Sequence, residues 1–368
     1  MAATKSRVLR KPPACYKPGR NKDTAENTMS DANDKTHLVD RITGHRRMRR
    51  LRKADWTRRL VRENRLTVDD LIWTVFVIPG DNIEEPIPAM PGVMRMSVDR
   101  LCEAAKKAAD LGIPAIATFP NIEMEKRDMT GSEVLNPDNL INRATRALKK
   151  AAPSLGVITD VALDPFTSHG HDGILSGEEI VNDQTVDQIC EAAVAQAQAG
   201  ADIIAPSEMM DGRIGAIRER LDMAGFQDVA IMSYATKFSS GFYGPYREAI
   251  STKGLLKGDK ASYYVDTANA TEALRDAALD VEEGADMLMV KPGLPYLDIC
   301  WRLKDTFGLP VFAYQVSGEY AMIKMAAERG AIDGDRVMME TLLSFKRAGC
   351  DGILTYFAIE AAEKLAKS

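Results

Sequence analysis

Residues 272–293 read Glu272-Ala-Leu-Arg-Asp-Ala-Ala-Leu-Asp-Val-Glu-Glu283-Gly284-Ala285-Asp286-Met287-Leu-Met-Val290-Lys291-Pro292-Gly293. The first part is amphipathic at helical spacing, and Met287–Lys291 is a short apolar run of strand length. Gly284 between them supplies a left-handed helix C-cap and a tight turn into the strand. The same punctuation recurs at Ala199-Gly200-Ala201-Asp202 and at Ala348-Gly349-Cys350-Asp351. Working outward, strands are expected at Leu71–Ile78, Pro114–Phe119, Gly156–Val161, Asp202–Ala205, Val229–Tyr234, Asp286–Lys291, Pro310–Val316 and Gly352–Tyr356. Amphipathic segments lie between them, at Val98–Leu111, Leu140–Ala151, Val186–Ala199, Glu272–Glu283 and Arg336–Ala348. Continuous apolar runs, rather than alternating ones, suit a parallel sheet covered by helices. Units of strand and helix repeated in this number predict an α/β fold, a closed (β/α)8 TIM barrel with an extended N-terminal arm. The alternative is an open, doubly wound sheet. No Gly-x-Gly-x-x-Gly sits at the first strand–helix turn, which argues against dinucleotide binding.

The 368 residues carry a formal net charge of −5 and are 45% hydrophobic. That balance does not suit a general nucleic-acid binder. No apolar run approaches the roughly 20 residues of a membrane helix. The N-terminus lacks the apolar core of a secretory signal. The five cysteines are scattered and odd in number, which fits free thiols in a reducing cytoplasm. Residues 1–40 are polar and broken by Pro12, Pro13, Pro18 and Gly19, and are expected to form a flexible extension. Residues 41–69 are basic, from Arg41 and Arg46 to Arg65, with interleaved Leu51, Trp56, Leu60 and Val61. They read as an arm that packs on a barrel or on a second subunit. The catalytic barrel is expected over residues 70–368.

Active sites of such barrels lie at the C-terminal strand ends. Two lysines fall there, Lys237 and Lys291, which end the adjacent strands five and six. Burial lowers an ammonium pKa, and a second cation lowers it further. A neutral amine attacks a ketone to form an imine. Asp160 and Tyr234 sit nearby at strand ends. The long segment from Phe238 to Lys260 is rich in glycine, serine and cations. It could close over the site and bring Arg247 and Lys260 onto an anionic substrate. His169-Gly-His171-Asp172, with Asp160 and Asp164, offers nitrogen and oxygen ligands without a thiolate, which leans toward magnesium rather than zinc. The other reading is a polar loop whose histidines hydrogen-bond the backbone and the substrate.

The strings Met-Val-Lys-Pro-Gly-Leu-Pro-Tyr-Leu-Asp (289–298), Thr-Ser-His-Gly-His-Asp-Gly (167–173) and Ser-Tyr-Ala-Thr-Lys-Phe-Ser-Ser-Gly-Phe-Tyr-Gly-Pro (233–245) resemble those of the porphobilinogen synthases, also called 5-aminolaevulinic acid dehydratases. The resemblance runs from Arg46 to the C-terminus. It implies condensation of 5-aminolaevulinate molecules to porphobilinogen in tetrapyrrole synthesis. Lys291 and Lys237 would be the Schiff-base lysines for the first and second substrate. Ser317 and Tyr356 would hold the first carboxylate, and Arg247 and Lys260 the second. Asp160 and Ser207 would face the substrate amines and reacting carbons. The thiolates of zinc-dependent members are replaced by Ala162, Asp164 and Asp172, so no zinc is expected. The resemblance is to the magnesium-responsive, aspartate-rich branch. Asp276 would then hold an allosteric magnesium through water, and Asp164 and Asp172 are candidates for a second magnesium in the active site. An exposed Asp276 paired with Arg275 or Lys260 is the plainer reading. Tyr264 stands where many relatives have glutamine and is left out of the site. The resemblance further implies a homo-octamer, and no organic cofactor, nucleic acid or membrane partner is expected. A class I aldolase, with one active lysine, is the enzymatic rival; a binding protein using the basic arm is the non-enzymatic one.

Overall fold

The computed structural model describes residues 47–256 and 258–367, which divide between Arg62 and Glu63 into two compact units. The expectations for residues 1–40, for Arg41 and Arg46, and for Lys257 lie outside these residues. In the first unit a short 3-10 helix, Met48–Arg52, precedes the helix Asp55–Leu60, and neither buries a side chain. Asp55 pairs with Arg59 at 2.8 Å across one turn.

The second unit is the barrel. Its strands are β1 (Leu71–Val77), β2 (Ala115–Pro120), β3 (Gly156–Val161), β4 (Ile203–Pro206), β5 (Ala230–Lys237), β6 (Met287–Lys291), β7 (Val311–Gln315) and β8 (Gly352–Thr355). Each pairs in parallel with the next, and β8 pairs with β1, so the sheet closes. Every expected strand is present. A hairpin of Glu84–Pro86 and Met94–Met96 extends β1. The principal helices are α1 (Val98–Asp110), α2 (Leu140–Ala151), α3 (Asn182–Gln198), α4 (Arg213–Met223), α5 (Gly244–Ala249), α6 (Ala270–Glu282), α7 (Leu297–Phe307), α8 (Ser317–Glu328), α9 (Gly334–Arg347) and α10 (Ala358–Leu365).

The repeated glycine junctions do more than turn the chain. Gly200, Gly284 and Gly349 take φ of 102°, 102° and 92°, which a side chain would strain. The aspartate two residues later then caps the neighbouring strand. Asp202, Asp286 and Asp351 each accept a 2.8 Å bond from a strand N–H, those of Val157, Ile231 and Val311. These N–H groups lie at the N-terminal face of the barrel, where they would otherwise lack a partner. The junctions fix that face and leave the opposite face to chemistry.

One strand differs from expectation in a way that matters. β5 runs on to Lys237, whereas the apolar pattern ends at Tyr234. Its register against β6 shifts between Leu288 and Val290: Ser233 faces Leu288, but Thr236 faces Val290. β5 therefore carries one extra residue, a bulge. Without it Thr236 would face Lys291. With it Lys237 and Lys291 are register partners, and partners on adjacent strands point to the same side of a sheet.

Candidate active site

Lys237 and Lys291 line one cavity at the C-terminal mouth of the barrel, about 480 Å³ including its opening. Arg247, Lys260, Ser207 and Tyr264 complete its polar wall. The two lysines are almost fully buried, but in different surroundings. The Lys291 Nζ lies 4.9, 5.6, 5.3 and 4.8 Å from the ring centres of Tyr234, Tyr243, Tyr246 and Tyr314. Burial, helped by the Lys237 charge, lowers its pKa to about 7. The Lys237 Nζ instead donates to the Ser207 carbonyl at 2.5 Å and pairs with Asp172 at 3.2 Å. The face of Tyr264 covers it at 4.4 Å.

Asp172 is the anionic hub of the site. Its oxygens also take Lys260 at 2.5 Å, the Tyr263 hydroxyl at 3.1 Å and the Tyr264 hydroxyl at 2.9 Å. Burial opposes its charge, yet the Lys237 and Lys260 ammoniums hold it well below the usual carboxylate range. Asp160 behaves oppositely. Burial, against the pull of Lys291, raises it to about 6. Its Oδ1 is buried without a hydrogen-bond partner. Asp164 is likewise raised by burial and by the charge of Asp172. The site thus holds one carboxylate fixed as an anion, Asp172, and behind the cavity another, Asp160, that burial shifts toward neutrality.

A lid covers the site. Its helix α5 carries Tyr246 and Arg247. The Tyr246 N–H donates to the Ser317 Oγ at 2.9 Å. At the other end Arg95 donates to the carbonyls of Glu248 and Ala249 at 2.7 and 2.6 Å, and Arg127 donates to that of Ile250 at 2.9 Å. These arginines stand in for the missing next turn of the helix.

The sequence-derived residues fall in three groups. Lys237, Lys291, Arg247, Lys260, Ser207 and Asp164 line the cavity. Asp160, Ser317 and Tyr356 stand behind it; the Tyr356 hydroxyl bonds that of Tyr314 at 2.9 Å, within the aromatic wall of Lys291. Asp276 is elsewhere, in a separate acidic cleft with Glu272, Asp211 and Asp280. Lys260 does not pair with Asp276, because it pairs with Asp172. The metal reading of the histidine loop does not fit either. His169 Nε2 contacts the Met129 carbonyl at 3.1 Å and His171 Nδ1 the Tyr263 hydroxyl at 2.9 Å. No group of three His, Cys, Asp or Glu among the described residues is placed to hold a metal ion. A magnesium on Asp164 and Asp172 would have to displace ammonium and phenol partners from Asp172, and Ala162 offers no ligand in exchange.

Tyr264 was left out on sequence grounds and belongs in the site. Arg95, Arg127 and the rings of Tyr243, Tyr246 and Tyr314 around Lys291 were also missed; of that cage only Tyr234 was named. The lid carbonyls are more than a hundred residues from the arginines, and the missed rings come from β7 and from the segment after β5, so no local pattern marks them.

Fold and site define a class: a parallel barrel enzyme with a buried, low-pKa amine at a strand end, suited to imine chemistry on a small anionic ketone. The family model of delta-aminolevulinic acid dehydratase matches residues 45–364. The delta-aminolevulinic acid dehydratase of Bradyrhizobium diazoefficiens is 60% identical over 319 residues, 87% of this chain and 90% of that protein. The Rhodobacter capsulatus enzyme of the same name is 49% identical over 86% of this chain and 96% of its own length. The Toxoplasma gondii delta-aminolevulinic acid dehydratase, crystallised with the reaction product porphobilinogen, is 46% identical, with a TM-score of 0.86 over 88% of this chain and 92% of that one. The chain belongs to the delta-aminolevulinic acid dehydratase family.

Lys291 is the group whose titration should be visible. The neutral amine is the nucleophile, so borohydride trapping of a bound ketone on Lys291 rises as pH rises through about 7 and then levels off. A rate still climbing toward 10.5, the ordinary lysine value, would contradict the tyrosine cage as the cause.

Proposed function

We propose that Lys291 and Lys237 carry the family reaction in this chain as successive imines, each on one molecule of substrate. The enzyme condenses two 5-aminolaevulinate molecules to porphobilinogen with loss of two waters, in tetrapyrrole synthesis. The observation that carries the residue assignment is the shared cavity of the two lysines. Neutral Lys291 attacks the first ketone, and loss of water leaves a protonated imine. This imine withdraws electrons and makes the adjacent carbon acidic. Lys237 forms the second imine once its pair with Asp172 opens and its ammonium has passed a proton to Asp160, which leaves the neutral amine to attack the second ketone. Both waters leave at these steps. Carbon–carbon and carbon–nitrogen bonds between the substrates then expel the lysines as amines. Asp160 suits the proton transfers, since general catalysis favours a pKa near working pH. Ser317 and Tyr356 receive the first carboxylate, and Arg247 and Lys260 the second. Ser207 orients the reacting amines. Holding both molecules in one cavity replaces a bimolecular encounter and is worth roughly 7–11 kcal/mol in the best oriented systems. An aldolase would need only one such lysine.

Magnesium is proposed as an allosteric ion at Asp276, in keeping with the aspartate-rich branch. Asp276 and Glu272 stand one helical turn apart with no lysine between them. Burial, then Glu272, raises Asp276 to about 6. That donor set suits a hydrated divalent cation held through water. Magnesium bound there supplies charge compensation. No step is assigned to it.

A homo-octamer in the cytoplasm completes the reading. Met48, Leu51, Trp56, Leu60 and Val61 are exposed in the first unit, between basic residues. Such an apolar stripe needs a cover, and a second copy provides one. The cytoplasm keeps the buried thiols of Cys190, Cys300 and Cys350 reduced.

Three outcomes test this reading. Lys291→Met abolishes porphobilinogen formation and imine trapping together, whereas Lys237→Met abolishes product and leaves an adduct that maps to Lys291. A product-forming Lys237→Met enzyme would sink the two-imine scheme. Magnesium stimulates turnover, and its affinity by calorimetry falls as pH drops through about 6, because the proton competes for Asp276; Asp276→Asn removes both effects, and stimulation that survives it rejects the site. Trp56→Ser with Leu60→Ser shifts the sedimenting species to smaller assemblies, and an unmoved boundary would refute the arm as an assembly element.

A further inference from the structure

Glu319 is a wholly buried carboxylate that no cation partners. Desolvation makes such a group costly, so its bonds must matter. One oxygen accepts the N–H of Leu294 at 2.6 Å and the other the N–H of Val316 at 2.6 Å. The N–H of Gly293 also faces the carboxylate and favours its charge. The bond to Val316 is an ordinary helix-start device: a glutamate in the first turn of α8 reaches back and offsets the positive end of the helix. The bond to Leu294 is not. It crosses to the turn that follows Lys291, on a different strand.

Glu319 therefore stands between two parts of the site. On one side, Gly293 and Leu294 follow directly from Lys291. On the other, Ser317 opens α8 and accepts the N–H of lid residue Tyr246 at 2.9 Å. The packing leaves little slack. A Cβ added at Gly318 would lie 2.4 Å from the carbonyl oxygen of Phe242, at the start of the lid. The Tyr243 hydroxyl also donates to the Lys291 carbonyl at 3.2 Å. The titratable groups facing Glu319 are Tyr243 and Tyr296, and no lysine, arginine or histidine among the described residues pairs with it.

We propose that Glu319 is a positioning residue for the condensation: its carboxylate ties the turn carrying Lys291 to the helix carrying Ser317. The amine and the hydroxyl that receives the first substrate's carboxylate are thereby held in one geometry. The inference rests on Lys291 as the imine-forming lysine. Burial raises the Glu319 pKa to about 7, so the tie weakens on the acid side of neutrality.

The test is Glu319→Gln in the full chain. The amide keeps the volume but sets an N–H against one backbone N–H, so one tie is lost. Turnover falls by roughly 10- to 100-fold, the scale of an ångström-level misplacement. The pH midpoint for borohydride trapping of 5-aminolaevulinate on Lys291 moves up from about 7, because the amine leaves its tyrosine cage. A merely structural role would lower the melting temperature without moving that midpoint. If Glu319→Gln does not fold, Glu319→Asp decides: it keeps the charge, but its shorter arm cannot span both donors, and the same shifts follow. Unchanged turnover and midpoint in the folded variant overturn the inference alone. Failure to find any adduct on Lys291 in the parent protein overturns the Lys291 reading and this inference with it.

Discussion

The bulge in β5 is the constraint on which the site depends. Side chains on a strand alternate between faces, so the number of residues between two points decides what shares a side. One extra residue between Ser233 and Thr236 brings Lys237 opposite Lys291. The barrel then closes around both, and β8 pairs with β1 to leave no edge for water to enter. Tyr234, on the same strand, lies against Lys291, while Tyr264 reaches Lys237 from the loop that precedes α6. A geometric accident of one residue would have separated the amines.

Sharing a cavity is not enough, because two ammoniums side by side repel. The site resolves this by making the lysines unlike. Lys291 is buried away from water beside the Lys237 charge, and no described carboxylate hydrogen-bonds it, so the neutral state is favoured. Lys237 meets Asp172, which Lys260, Tyr263 and Tyr264 hold as an anion. The ion pair gives the second charge a place to stay while the first amine reacts. On the two-imine proposal this difference favours Lys291 as the first nucleophile, since Lys237 must first give up its pair with Asp172. Asp172 is thus better used as a counter-ion than as a metal ligand.

Much of the barrel was legible in the chain. Glycine followed by aspartate, three times over, marks places where a helix must stop and a strand must begin. The aspartates have a second duty, capping neighbouring strands, which only the closed sheet makes possible. Lys291 was legible because a cation in an apolar run of five stands out. Lys237 was legible at the end of strand five, but the bulge that makes it the register partner of Lys291 was not, because an extra residue leaves no periodic trace. Asp172 could be seen as functional, but its partners Lys260, Tyr263 and Tyr264 come from a loop without periodicity. Their convergence is a property of the fold. Nothing local in the sequence singles out Arg95 and Arg127; their role shows only where the fold brings the lid carbonyls to them.

Those two arginines show how the lid and the chemistry are joined. A closed lid strengthens every charge interaction beneath it by excluding water. Helix α5 is too short to stabilise itself, so its closure must be held from outside. Arg95 and Arg127 take its terminal carbonyls, and Ser317 takes the N–H of Tyr246. The last of these bonds uses the hydroxyl assigned to the first substrate's carboxylate. The Ser317 Oγ accepts that N–H and keeps its own proton to donate. Under the reading proposed above, one hydroxyl therefore serves the lid and the first substrate's carboxylate at once, and neither has to give it up to the other.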